Sequence, residues 1–134
     1  VIRIALDERP LAWHTVQVRL DGEAHELRVR YHLLTPEDAS ERSAERVRMA
    51  RTFQGADADA MFAALLDRLT IERVAGMRAL IAERVVEWDL ADLDGHPIAA
   101  TPVAVQALLD HGAFLRPLYE GLVDASLGAD SKNA

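Results

Sequence analysis

The sequence predicts an α+β fold, with an N-terminal antiparallel β-hairpin or small three-stranded sheet followed by a mostly α-helical C-terminal part. Three observations lead there. Apolar and polar residues alternate from Ala12 to Leu33, interrupted once by Asp21-Gly22-Glu23-Ala24. Period two is the repeat of a half-buried strand, and Asp-Gly between two such runs is the composition of a tight hairpin turn. Threonine-proline pairs recur at Thr35-Pro36 and Thr101-Pro102, each ahead of a helix-compatible run. From Pro36 onward the apolar spacing changes from two to three and four, the period of a helix face.

In the first run Ala12, His14, Val16, Val18 and Leu20 share a face; in the second, Leu27, Val29, Tyr31 and Leu33 do, with Glu26, Arg28, Arg30 and His32 opposite. Ile2, Ile4 and Leu6 also alternate, which adds a candidate third strand. A bare hairpin is marginal in water, so this sheet is expected to lean on the helices. Thr35 suits a helix cap, Pro36 the first helical position, and Glu37 and Asp38 the positive end of the dipole. The helix from Pro36 to about Phe53 is unusually polar, with Arg42, Arg46, Arg48 and Arg51 set among a few small or apolar residues. Such a helix buries little, so its position must depend on a partner or the sheet edge.

Gly55 ends that element, and Asp57 or Asp59 opens a second helical region reaching about Glu87. Phe62, Leu65, Leu66 and Leu69 form one stripe, continued by Val74, Met77, Ile81, Val85 and Trp88. Gly76 costs about 1 kcal/mol relative to alanine inside a helix, so the region reads as two helices or one bent helix. Asp92 to Pro97 is a turn. Val103, Ala107, Leu108 and Leu109 then mark a short helix broken near His111-Gly112, and a last helix runs from about Ala113 to Leu127. Residues 1–134 form a single domain on this reading: a sheet part over 1–34, a helical part over 35–127, and a polar tail over 128–134 expected to be disordered.

Composition narrows the function classes. Half the residues are hydrophobic but only 5% aromatic, which favours aliphatic helix packing. Cysteine is absent, excluding disulfides, thiol nucleophiles and zinc-cysteine or iron–sulfur sites, and fitting a reducing cytoplasm. No apolar run approaches the ~20 residues of a membrane span. The net charge of −7 argues against general nucleic-acid binding, where phosphate contacts dominate affinity. The charge is uneven: six arginines face four acids between Arg28 and Arg51, whereas two basic residues face eight acids between Val85 and Ala134.

Catalytic chemistry is hard to find. With Gly95 at the sixth position of an EF-hand loop, the first ligand would be Leu90 and the twelfth Thr101, which lacks the required carboxylates. His14 and His25 fall in one alternation set across the hairpin, but two imidazoles without a third ligand make a poor metal site. There is no Gly-rich phosphate loop, no serine on a strand-to-helix elbow, and one lysine, Lys132. The chain is therefore expected to be no enzyme and to carry no catalytic, cofactor or metal site.

The order of segments resembles the tail assembly chaperones of long-tailed, siphovirus-like bacteriophages and their prophage relatives. The resemblance is carried by Val16 to Arg30 with Tyr31-His32, then Thr35-Pro36-Glu37-Asp38 opening a polar helix. It continues in Val85-Val86-Glu87-Trp88-Asp89, in Thr101-Pro102-Val103-Ala104-Val105-Gln106-Ala107-Leu108-Leu109-Asp110, and in Phe114 to Leu122. It covers about two-thirds of the 134 residues. Glu87 departs from the family's usual glycine, and the stretch from about Asp57 to Ala82 is longer than usual. The resemblance implies a non-catalytic protein in the host bacterial cytoplasm, absent from the mature virion. Its implied partners are the tail tape measure protein and tail tube subunits, with a homo-oligomer as a further option and no nucleic acid or membrane.

Val47, Arg48, Arg51 and Phe53 on the polar helix are the candidate partner-binding residues, and the free edge of the hairpin is a second candidate surface. Trp88, Leu108, Leu109, Phe114 and Tyr119 read as core. The alternative is a small regulator or antitoxin-like protein that binds nucleic acid through Arg42, Arg46, Arg48 and Arg51.

Overall fold

The structure, a computed structural model, describes residues 1–4, 6–52 and 71–128, with the backbone alone described at 49–52 and 71–73. Strands β1 (Leu11–Leu20) and β2 (Glu23–His32) form the expected hairpin, in the register Leu20↔Glu23 to Leu11↔His32. Both turn residues have positive φ, 54° at Asp21 and 82° at Gly22, the type I′ geometry that matches strand twist. In a two-residue hairpin the flanking pair is hydrogen-bonded, so His14, Val16, Val18 and Leu20 direct their backbone groups at β2. Gln17 and Arg19 direct theirs away from it. The Asp89 N–H donates to the Arg28 carbonyl on the far side of β2, as this phase requires.

The third strand does not come from Ile2, Ile4 and Leu6. Those residues are exposed and outside any strand; three alternating residues interrupted by Arg3 offer too little apolar surface to dock on the sheet. It is β3 (Val85–Trp88), antiparallel to β2 in a sheet of order β1-β2-β3. The sheet is thus not confined to residues 1–34, and the helical span 35–127 contains a strand. The helix expected to reach Glu87 stops at Arg84. A spacing of three and four through Ile81, Val85 and Trp88 cannot distinguish a helix from a helix that hands over to a strand, and the β-branched Val85-Val86 pair favours the strand. Asp89 secures the junction: its carboxylate accepts from the Arg28 N–H at 2.9 Å.

Among the described residues there are four helices. Helix α1 (Pro36–Thr52) starts at Thr35, whose hydroxyl accepts from the Asp38 N–H at 3.2 Å. The expected end at Gly55 and the stripe Phe62 to Leu69 lie outside the described residues. Helix α2 (Ile71–Arg84) passes through Gly76 without a break. Helix α3 (Pro102–Leu109) is capped by Thr101, which accepts from the Ala104 N–H at 3.1 Å. Its inner face is Val105 and Leu109, while Val103 and Ala107 are exposed. Helix α4 (Leu115–Ser126) buries Leu115, Leu118, Leu122, Val123 and Ala125. Gly128 closes it with φ 82° and an N–H to the Ala125 carbonyl, and the tail beyond lies outside the described residues.

One apolar cluster joins the sheet face of Val16, Val18, Leu27, Val29 and Tyr31 to Ile81 of α2, Val105 of α3 and Leu118 and Leu122 of α4. The Tyr31 hydroxyl donates to the Leu118 carbonyl at 3.0 Å. Arg78 ties α2 to α3, donating to the Gln106 carbonyl and side chain and pairing with Asp110. Trp88 packs its ring against the cluster and donates through Nε1 to the Ile98 carbonyl at 2.6 Å, which anchors the 89–101 connection. Among the described residues, no helix is long and apolar enough to cross a membrane.

Candidate functional site

The polar helix α1 solves its packing problem with arginines. Ala39 is fully buried, and the α1 side chains described as bonding to α4 are arginines. Arg42 donates to Asp38 and to the Tyr119 hydroxyl, both at 3.0 Å, with its guanidinium 5.8 Å from the Tyr119 ring centre. Burial lowers the Arg42 pKa, but Tyr119 and Asp38 outweigh it and hold the guanidinium above its ordinary value. Arg46 reaches Asp124 at 3.2 Å. Part of the charge asymmetry in the sequence is therefore satisfied inside the molecule, basic helix against acidic helix.

Of the four expected partner-binding residues, Val47 and Arg48 are exposed on α1. The Arg51 side chain and the whole of Phe53 lie outside the described residues. The four are therefore not brought together as a described patch. The arginine pair that does converge, Arg42 and Arg46, converges on α4.

A second surface lies on the other flank of α4. An open groove of about 700 Å³ runs between β1 and α4. His14, Val16, Gln17 and Arg19 border it from the strand, and Gly121 and Ala113 are among the small residues lining it from the helical side. Gly121 brings α4 close to the sheet: a Cβ there would sit 2.8 Å from the Tyr31 hydroxyl oxygen and nearer still to Val16 Cγ1. The helix runs antiparallel to β1. Its last residue, Ser126, accepts from the Leu34 N–H just past the β2 end that pairs with Leu11. Arg116 therefore lies toward the Arg19 end of the groove, and Asp124 toward the His14 end.

The outer sheet face is mostly polar, with Leu11 and Trp13 its large apolar residues on β1. Arg28 stacks over Trp13 at 5.0 Å, Arg30 pairs with Glu87 across β2 and β3 at 3.3 Å, and Gln17 donates to Glu26 at 3.2 Å. His14 and His25 share a sheet face, as expected, but His14 sits opposite Val29 and His25 opposite Val18. Four residues along a strand separate them by about 13 Å, and they form no pair. In the exposed 92–97 turn, Asp92, Asp94 and His96 each bring a ligand-type atom within 4.8 Å of one another. The EF-hand spacing test does not register such a cluster. Asp92 Oδ1 is already committed, accepting the N–H groups of Asp94 and His96 at 2.9 Å, so its carboxylate shapes the turn.

Sequence reasoning missed the groove and the Arg78 clamp. The groove had one signal, a glycine inside the apolar periodicity of the last helix, which marks a close backbone approach. Arg78 had none, because its partners lie 28 and 32 positions away. No protein-family model matches the chain, and no curated protein or solved structure matches it.

Proposed function

We propose that this chain is a non-catalytic tail assembly chaperone that binds the tape measure protein and tail tube subunits in the host cytoplasm and keeps them soluble until the tail polymerises. The reading rests on the sequence resemblance. The observation that carries it further is that the resembling segments are the joints of one fold. Tyr31 hydrogen-bonds into the closing segment at Leu118, Asp89 locks onto Arg28, and Trp88 anchors the connection that leads to Thr101-Pro102. A helical client with an exposed apolar stripe needs that stripe covered before assembly, which is a task for a binding surface without catalytic groups.

The nucleic-acid alternative has less support. It needs Arg42, Arg46, Arg48 and Arg51 as a basic face, and two of the four are held by Asp38, Tyr119 and Asp124. Co-expression with the tape measure protein of the same phage or prophage tests the proposal. A rise in soluble tape measure protein, with the two copurifying, is expected; an unchanged yield overturns it.

A further inference from the structure

We propose that the groove between β1 and α4 takes an extended peptide segment, which adds as a strand to the outer edge of β1 with an acidic residue over Arg19. This rests on the protein-binding reading above, but not on which protein is bound. Three observations support it. The hairpin phase turns the backbone N–H and C=O of Gln17 and Arg19 outward, and among the described residues no strand pairs with that edge. An added strand lies 4.7–4.9 Å from its neighbour, and its inward side chains would then enter the groove. The groove is lined there by Ala113 and Pro117, with Gly121 closed against Val16, so small apolar side chains at alternate positions of the segment suit it.

The charges select the segment and its direction. Arg19 and Arg116 lie toward one end, Glu120 and Asp124 toward the other. Arg116 pairs with Glu120 at 3.5 Å and Asp124 with Arg46, so the acids are partly compensated, whereas the guanidinium of Arg19 makes one long contact, 3.4 Å to the Gly22 carbonyl. An acid is therefore favoured beside Arg19 and disfavoured over Glu120. In antiparallel addition this places the acid at the N-terminal end of the segment. A second copy of the chain fits less well, because β1-to-β1 pairing would carry its own α4 along. With α4 packed beneath the edge strand itself, two such helices would approach closer than the 8–10 Å of packed helices.

The test uses the whole chain and the synthetic peptide acetyl-Asp-Val-Thr-Val-Thr-Lys-amide, whose valines alternate with the acid and so face the groove when the acid lies over Arg19, followed by NMR and amide hydrogen exchange. Binding is expected to slow exchange at the Gln17 and Arg19 amides. The peptide with lysine at both ends should bind roughly three- to tenfold more weakly, the scale of one or two exposed ion pairs. Gln17→Pro removes an outward backbone donor, together with the exposed side-chain bond to Glu26, at a position where edge strands tolerate proline, and should abolish binding. Should that variant fail to fold, Arg19→Glu keeps the question open to decision, since it should reverse the preference between the two peptides. Unchanged exchange at both amides under millimolar peptide overturns the proposal, as does equal binding by Gln17→Pro. It is also overturned if both amides are already protected without peptide and lose that protection on dilution, because the edge then belongs to a second copy. Tape measure rescue on co-expression without peptide binding would leave the chaperone reading standing and remove this edge as its docking site.

Discussion

Gly121 on α4 and Val16 on β1 are in contact with no room between them for a methyl group. Their contact sets how closely the last helix lies against the hairpin, and so sets the depth of the groove beside it. Gly121→Ala should therefore lower stability by about 1–3 kcal/mol, the range for overpacking a tight interior. Gly76→Ala is the control: nothing lies within 4 Å of a Cβ there, and the exchange should stabilise α2 by up to about 1 kcal/mol. Thermal or denaturant unfolding of the two variants reads both signs.

Tyr31 is fully buried and its hydroxyl donates to the Leu118 carbonyl. In Tyr31→Phe that carbonyl keeps its place in the α4 hydrogen-bond ladder, so the exchange removes one buried hydrogen bond and should cost about 0.5–1.5 kcal/mol. Burial first, and Asp124 second, push the Tyr31 pKa well above its ordinary value of 10.0. The folded protein thus keeps a proton that the unfolded chain releases near pH 10. This group leaves stability unchanged below that pH and lowers it as pH rises further. A stability profile from pH 8 to about 11 should fall at its alkaline end, and Tyr31→Phe should flatten the fall.

Arg42 and Tyr119 hold α1 against α4 where apolar surface is scarce. Both are partly exposed, so solvent screening limits the gain. A double-mutant cycle with Arg42→Ala and Tyr119→Phe should return a coupling of about 0.5–1 kcal/mol. Amide exchange in α1 should accelerate in Arg42→Ala while exchange in β1 and β2 stays unchanged. A coupling near zero would mean that α1 is held by other contacts, among them buried Ala39 and the Arg46–Asp124 pair.

With Arg42 and Arg46 engaged internally, duplex DNA at low salt should bring no change in fluorescence anisotropy. Affinity that falls steeply as salt rises would instead restore the nucleic-acid reading.

The hairpin, both threonine caps and the last helix were legible because each is specified locally. Asp21-Gly22 encodes its own turn, Thr35 and Thr101 each sit three residues before the amide they cap, and Leu115, Leu118 and Leu122 repeat at helical spacing. The third strand was not legible. Val85 to Trp88 satisfies a helical stripe as well as a strand, and what decides between them is pairing with β2, more than fifty residues earlier. The candidate site divides the same way. Val47 and Arg48 are exposed as expected, but the destinations of Arg42 and Arg46 depend on α4, nearly eighty residues away. The groove arises from two elements meeting, and no single segment contains it.

The most direct measurement is the soluble yield of the tape measure protein when it is expressed with and without this chain. A several-fold rise with the two proteins copurifying is expected, reduced by Gly121→Ala only as far as that variant loses stability. Equal yields with and without the chain, in a culture where both proteins are produced, would contradict the chaperone reading.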